Sequence, residues 1–483
     1  MATALNLSLL TDLYQLTMAY AHWKSGTGNR EAVFHLFFRR NPFKGGFAVA
    51  CGLEAAIDYL RNFRFESDDL DYLASLQGND NQPVFERGFL DYLSSLTFTC
   101  DIDAIPEGTI VFPHEPLLRV RGPMIQAQVF ESALLNIINF QTLIATKAAR
   151  VCLAAKGDAV LEFGLRRAQG ENGAITASRA AYIGGCAATS NVLAGKVYGI
   201  PVKGTHAHSW VLAFDSEEKS FREYAKAMPN NCVFLVDTYN TLEGVKKAVK
   251  VGLDLRKQGH ELAGIRLDSG DLAYLSIEAR KILDVAGFPR ASIVASSDLD
   301  EHVITSLKDQ GAQINIWGVG TRLATAYDQP ALGGVYKLGA IGSVEGKWDY
   351  KVKLSEQAIK TSTPGIQQVR RFRSETEFIG DAIYDIDLGL PADPTIVDPL
   401  DMTRRKKIAP ETLFEDLLVP VFRKGKLVYQ SPALADIRAR TLNQLQLFHS
   451  GIKRFLNPHQ YPVGLELQLH DLKTKLILQA REV

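Results

Sequence analysis

Thr205, His206, His208 and Ser209 follow Gly204 in one short run and bring two hydroxyls and two imidazoles together. Imidazoles move protons, attack phosphoryl groups and bind metals near neutral pH, and hydroxyls contact phosphates. The preceding Tyr198-Gly199-Ile200-Pro201-Val202 reads as a strand. The cluster is therefore expected at a strand end, where α/β proteins collect their chemistry. A polar loop with incidental histidines is the plain alternative.

Other polar groups occupy equivalent places. Gly318-Val319-Gly320-Thr321 follows a strand-like run. Its glycines allow close backbone approach or positive φ, so N–H groups can converge on a phosphate, with the Thr321 hydroxyl beside them. Leu323 stands where a dinucleotide fingerprint needs its third glycine. Arg166 and Arg167 place two guanidinium forks after Glu162-Phe163-Gly164, suited to phosphate or carboxylate, or merely to solvent. Arg266 lies inside an apolar strand, so it must face a ligand or be paired. Asp268 and Asp271 bracket Ser269-Gly270. They suit Mg²⁺ or sugar hydroxyls, while Asp268 or Ser269 equally suits a helix N-cap.

A repeating pattern positions these groups. From about residue 158 to residue 340, short β-branched runs end in polar or glycine turns, and helical patterns follow. The runs are Ala159–Gly164, Ile200–Val202, Val233–Val236, Ala263–Leu267, Ser292–Ala295 and Ile314–Trp317. After Asp271, Leu272, Leu275, Ala279, Ile282, Leu283 and Ala286 share one helical face that Gly287 closes. Asp298 with Glu301 marks an acidic start to the next helix. Successive βα units of this length predict a parallel α/β barrel or a doubly wound sheet. The flanks differ: Ala32–Phe38 reads as a strand and Met124–Lys147 as helical. Pro364-Gly365 reads as a turn between Ile359 and Val369, residues 390–415 as a surface connection, and Ser431–Phe455 as helical.

Composition narrows the function classes. The 483 residues leave room for about three domain-sized units. Lys+Arg and Asp+Glu both total 54, giving a formal net charge of zero, so nothing points to nucleic acid or an anionic membrane. Five scattered cysteines without a CxxC pair suit a reducing compartment. Met1–Leu10 carries no signal-peptide pattern, and no uninterrupted apolar run of about 18 residues spans a membrane. A cytoplasmic small-molecule enzyme is expected.

Taken in order, the motifs resemble those of the nicotinate phosphoribosyltransferase family. They are Leu10-Thr11-Asp12-Leu13-Tyr14-Gln15-Leu16-Thr17-Met18, Phe38-Arg39-Arg40-Asn41-Pro42-Phe43 and Glu162-Phe163-Gly164-Leu165-Arg166-Arg167-Ala168-Gln169-Gly170. Gly204–Ser209, Asp237-Thr238-Tyr239, Arg266–Leu272, Gly318–Thr321 and Pro330–Leu338 complete the set. The resemblance implies an irregular TIM-like α/β barrel over 137–340 carrying the active site. It implies a second α+β domain built from the flanks, 1–136 and 341–483. It further implies a homodimer with shared active sites, and a reaction joining nicotinate to 5-phosphoribosyl 1-pyrophosphate with Mg²⁺ and coupled ATP hydrolysis in NAD salvage. By the same resemblance, His208 takes a phosphoryl group from ATP, and His206 fills a variable position. Tyr14, Thr205 and Arg266 match nicotinate contacts. Thr321 matches a phosphoribosyl contact, a role expected also of Arg166, Arg167, Ser209, Asp268, Gly318 and Gly320, with Asp268 a candidate Mg²⁺ ligand.

Three other readings compete. A metal-dependent barrel hydrolase would use His206 and His208 as a two-histidine arm. A non-enzymatic sensor could occupy the same fold. The sister activity on nicotinamide differs only in the substrate's amide.

Overall fold

The β-branched runs pair in parallel and are buried on both faces, as expected for strands covered by helices. The computed structural model describes residues 6–343 and 346–481, so the first residues of the Met1–Leu10 stretch lie outside the described part. The chain divides into two units. One comprises Leu143–Pro330 with Leu434–Leu442, the other Met1–Thr142, Ala331–Ala433 and Asn443–Val483.

In the first of these units the strands are β1 (Ala159–Glu162), β2 (Ala188–Thr189), β3 (Val233–Leu235), β4 (Gly264–Leu267), β5 (Ser292–Ser297) and β6 (Ile316–Val319). They form one parallel sheet in the order β2-β1-β6-β5-β4-β3. Helices follow the strands: α1 (Glu171–Ile183), α2 (Val192–Tyr198), α3 (His208–Leu212), α4 (Glu217–Ala227), α5 (Thr241–Lys257), α6 (Leu272–Val285), α7 (Glu301–Asp309) and α8 (Thr321–Ala324). Parallel pairing sets all the strand ends that carry Phe163, Asp237, Asp268, Ser296 and Gly318 on the same edge of the sheet.

Several local expectations need correction. Tyr198 ends helix α2, and Gly199 (φ 70°) supplies its left-handed cap. Only Val202 bridges to Thr189, so the strand expected at Tyr198–Val202 shrinks to a short extended link. Thr189 and Val202 still exchange ladder-like bonds through Pro201 and Lys203. Strand β2 escaped notice because Ala188-Thr189 is too short to show a period. Helix α6 is capped by Asp271, whose side chain accepts the Tyr274 N–H at 3.1 Å. That leaves Asp268 and Ser269 free of the capping role. Helix α7 does open on the acidic Glu301, and its cap is Asp300, which accepts the His302 and Val303 N–H groups at 3.0 and 2.8 Å.

In the second unit a seven-stranded antiparallel sheet interleaves the two flanks. Trp348–Tyr350, Gly334–Gly342, Glu31–Phe38, Leu118–Pro123, Asp101–Ala104, Val419–Arg423 and Lys426–Leu427 lie side by side in that order. A six-stranded mixed sheet uses residues of the C-terminal flank only. The supposed surface connection at 390–415 supplies three of its strands, Thr395–Val397, Arg405–Lys407 and Leu413–Asp416. Ile396 and Val397 are buried there, a short apolar pair masked by the Pro- and Asp-rich surroundings. Pro364-Gly365 leads into the strand Gln367–Arg373, which among the described residues pairs with later strands, so it is no hairpin turn. Met124–Lys147 forms two helices, Met124–Val129 and Glu131–Ala154. Among the described residues, Met124–Ala154 is the one stretch long and apolar enough to cross a membrane, and most of it is buried in the protein.

Candidate active site

Arg266 is the hub of the strand-end cluster. An unpaired guanidinium on a sheet strand would be costly, and this one is held on three sides. Its Nε donates to Ser296 Oγ at 2.8 Å, Nη1 to Thr205 Oγ1 at 3.0 Å, and Nη2 to Asp268 Oδ1 at 2.8 Å. Three of its five N–H donors are thus used, which leaves two. Ser296 also donates to Asp268. Burial pushes the Asp268 carboxyl up, but the bonds from Ser296 and Arg266 and the Arg266 charge outweigh it and hold the group below its usual value. Asp268 is a carboxylate at neutral pH. Ser297, at the tip of β5, has φ 139°, a conformation that non-glycine residues rarely adopt.

His208 opens helix α3 beside this hub. Its Nδ1 lies 3.1 Å from Thr238 Oγ1. Its Nε2 lies 3.9 Å from Asp237 Oδ1 and 3.8 Å from Asp268 Oδ2. The other Asp237 oxygen accepts the Asp268 N–H at 2.9 Å and the Ser269 hydroxyl at 2.7 Å. Asp237 Oδ1 is buried without a hydrogen-bond partner. Two carboxylate oxygens therefore face the same imidazole nitrogen, one of them unsatisfied.

His206 points the other way. It is buried at 7% exposure, and its Nε2 accepts the Leu235 N–H of β3 at 3.3 Å. Burial above all, with the Arg266 charge, pushes its pKa down to about 4. A histidine whose Nε2 is committed to the backbone cannot serve as a metal arm through that atom. Among the described residues, no group of three or more His, Cys, Asp or Glu side chains is arranged to hold a metal. The hydrolase reading loses its ligands.

The turn after β1 is built around Glu162. This buried carboxylate accepts the Gly164 N–H, the Ser178 hydroxyl at 2.9 Å and the Thr189 hydroxyl at 2.6 Å. Gly164 is packed so closely that a Cβ would sit 2.3 Å from Ala324 Cβ and 2.9 Å from the Gly320 carbonyl oxygen. The turns after β1 and β6 are therefore pressed together. Neither Gly318 nor Gly320 has positive φ. Glycine is needed for space: a Cβ at Gly318 would meet the Phe163 ring at 2.7 Å, and one at Gly320 the Phe163 carbonyl oxygen at 3.2 Å. Thr321 begins helix α8 directly after Gly320. Arg166 and Arg167 are exposed, and among the described residues neither has an ion-pair partner. Ser209, next to His208, is exposed as well.

Tyr14 belongs to the other unit, on the helix Leu13–Lys24, where its side chain is exposed. Gln15 beside it is buried and bonded to Glu131 at 2.9 Å, which fixes that turn of helix. Reading the sequence residue by residue gave no role to Phe163 or Thr238, and it offered His206 as a metal arm where the structure makes it a backbone acceptor. Phe163 carries its ring 5.9 Å from the Arg266 guanidinium carbon. Its place just past the end of β1 was the available signal.

Models of the nicotinate phosphoribosyltransferase N-terminal domain, family and C-terminal domain match residues 9–139, 159–373 and 366–473. Nicotinate phosphoribosyltransferase of Bacillus subtilis is 46% identical, over 98% of this chain and 97% of its own length. The Homo sapiens enzyme is 34% identical, over 97% and 96%. The crystal structure of human nicotinic acid phosphoribosyltransferase superposes with a TM-score of 0.83 at 32% identity, covering 96% of this chain and 99% of that one. A nicotinate-nucleotide pyrophosphorylase from Pyrococcus furiosus shares the fold at a TM-score of 0.66 and 24% identity, covering 92% of this chain and 97% of that one. With a parallel sheet, antiparallel sheets and full-length relatives in agreement, the chain belongs to the nicotinate phosphoribosyltransferase family.

Proposed function

We propose that the chain joins nicotinate to 5-phosphoribosyl 1-pyrophosphate, forming nicotinate mononucleotide and pyrophosphate, with ATP hydrolysis coupled through a phosphohistidine at His208. The observation that carries this reading is Arg266, held by Thr205, Ser296 and Asp268 with two N–H donors left. A guanidinium there favours the carboxylate of nicotinate over the neutral amide of nicotinamide. The pyridine nitrogen's lone pair forms the bond to C1 of the ribose as the C1–O bond breaks, and its electron pair leaves with pyrophosphate. No general base is required, because that nitrogen carries no proton to remove. Phe163 is an aromatic group beside Arg266 that is available to the ring, and Tyr14 is assigned to the same ring by its motif alone. Gly318, Gly320 and Thr321, with Arg166, Arg167 and Ser209, are assigned to the phosphates of the sugar donor.

For ATP coupling, His208 must attack through Nε2. That requires its Nδ1–H to donate to Thr238 Oγ1, which the 3.1 Å approach allows. The Nε2 lone pair then forms the bond to the γ-phosphorus as the P–O bond to ADP breaks. Asp237 and Asp268 would hold Mg²⁺, and the orphaned Asp237 Oδ1 fits a hard cation. A bound Mg²⁺ supplies the positive charge that lets phosphoryl oxygens sit beside these carboxylates. Phosphorylation adds nearly two negative charges at the hub and reorganises the loops around it.

Within this proposal the parallel sheet closes as an irregular TIM-like barrel within Leu143–Pro330, narrower than the 137–340 expected, because Gly334–Gly342 belongs to the antiparallel sheet of the other unit. The Thr189–Val202 bridge extends one edge, and His206 caps the opposite edge strand three residues after Lys203, which supports closure. The flanks, as Met1–Thr142, Ala331–Ala433 and Asn443–Val483 in place of the expected 1–136 and 341–483, form the second α+β domain. The protein works in the cytoplasm as a homodimer that shares its active sites. The test is incubation with nicotinate, 5-phosphoribosyl 1-pyrophosphate and Mg²⁺, with and without ATP. Nucleotide forms in both, faster with ATP, and His208→Ala keeps the basal rate and loses the stimulation. Undiminished ATP stimulation in His208→Ala overturns the phosphohistidine.

A further inference from the structure

The reaction leaves one basic run of the sequence unused, Arg404-Arg405-Lys406-Lys407. It borders a cavity of about 330 Å³ in the unit that contains both chain ends. That volume falls in the range of small-molecule sites. Arg404, Arg405 and Lys406 line one side, and the segment from His459 to Val463 lines another. Lys407 is not on the lining and is neutralised by Asp393 at 2.8 Å.

Three cations thus meet a single lining carboxylate, Asp398. One Asp398 oxygen accepts the Leu400 and Asp401 N–H groups at 2.8 and 3.2 Å, and the other stays 3.8 Å from Arg404. Arg404 donates to Gln460 Oε1 at 2.8 Å. Arg405 Nε donates to the Met402 carbonyl at 3.0 Å, and Lys406 to the Ile379 carbonyl at 2.8 Å. Among the described residues neither Arg405 nor Lys406 has a carboxylate partner. Arg404 and Arg405 are exposed, whereas Lys406 is partly withdrawn from water with no counter-charge, which is costly, and burial pulls it below its usual value. Two guanidinium forks and an ammonium, each with donors left over, match a multiply charged oxyanion better than a single carboxylate. Apolar lining comes from Ile396, Pro462 and Val463. The Tyr461 hydroxyl is tied to Asp381 at 2.9 Å, so that side of the cavity is held by the core.

We propose that this cavity binds a phosphorylated small molecule of nucleotide size, with its phosphates on Arg404, Arg405 and Lys406 and its ring against Ile396, Pro462 and Val463. None of the lining residues is a member of the strand-end cluster, so a variant there leaves the reaction intact.

Calorimetric titration of the full-length protein with ADP tests it, against the Arg405→Ala/Lys406→Gln double variant. The wild type is expected to show one more ADP equivalent per chain than the variant, or at least a tenfold tighter second class of sites, from the lost phosphate contacts. Turnover at saturating substrates stays within about twofold, as expected for residues outside the reaction. Adenosine, which lacks phosphate, does not occupy the extra site, and inorganic phosphate competes for it. The exposed Arg405→Ala alone, which leaves the core untouched, weakens the extra site in the same direction. Identical stoichiometry and affinity in wild type and variants overturn the proposal, as does equal occupancy by adenosine.

Discussion

His206 makes the fold of the parallel-sheet unit acid-sensitive by a calculable amount. The buried imidazole accepts the Leu235 N–H and has its pKa pushed from 6.5 to about 4. A histidine with a depressed folded-state pKa takes up its proton more readily when unfolded. The stability it contributes is fully present above pH 6.5 and is lost as the pH falls toward 4. At about 1.4 kcal/mol per unit, the loss amounts to about 2.5 kcal/mol by pH 4.5. His22, His35 and His114 are also depressed by burial, the last two to about 3 and about 4, so wild-type acid sensitivity mixes all four. The comparison is therefore wild type against His206→Gln, which offers an acceptor that does not titrate. Urea unfolding from pH 7.5 to pH 4.5 should show the stability difference between them shifting by about 2.5 kcal/mol in favour of the glutamine. A second variant, His206→Phe, leaves the buried Leu235 N–H unpaired and costs about 1–3 kcal/mol at every pH. A pH-independent wild-type-to-glutamine difference, or a His206 ring that titrates near 6.5 by NMR, would refute the reasoning.

Thr238→Val removes the partner of His208 Nδ1, and labelling with γ-³²P-ATP should show phosphoenzyme forming about tenfold more slowly, while ATP-independent turnover persists. Gly164→Ala drives a methyl into Ala324 and the Gly320 carbonyl. It should cost about 1–3 kcal/mol in thermal unfolding and raise KM for the sugar donor, because two phosphate-side turns must part. In the other unit, fully buried Arg371 pairs with Asp381 at 2.5 Å. Asp381→Asn should destabilise by about 3–5 kcal/mol, since an uncompensated guanidinium remains. Burial, with the Asp381 charge, pushes the neighbouring Glu115 carboxyl well up. Glu115→Gln, an uncharged isostere, should therefore be better tolerated than Asp381→Asn. It should also flatten the fall in stability as the pH rises above 4.5, because a raised carboxyl stabilises below its unfolded pKa and loses that contribution as the pH rises through the folded one.

The amino-acid order alone carried the βα pattern, the strand ends and the family, because each rests on local periodicity or on contiguous motifs such as Glu162–Gly170 and Gly204–Ser209. Arg266 was also legible: an arginine inside an apolar strand demands a partner. Tertiary structure decided what those partners were. Asp268 is a near neighbour in sequence, but Ser296 and Thr205 come from distant places along the chain, Ser296 brought beside Arg266 by the parallel pairing of their two strands. The two histidines show the limit most sharply. They are two residues apart and chemically identical, yet one faces two carboxylates while the other disappears into the sheet to bond Leu235. Composition also hid Thr395–Val397 and Arg405–Lys407 within what looked like a polar surface connection, since a strand of three residues has no period to read. Sequence determines which groups exist and in what order. Which of them share a low-dielectric pocket, and which are consumed by backbone hydrogen bonds, is settled only when distant segments pack.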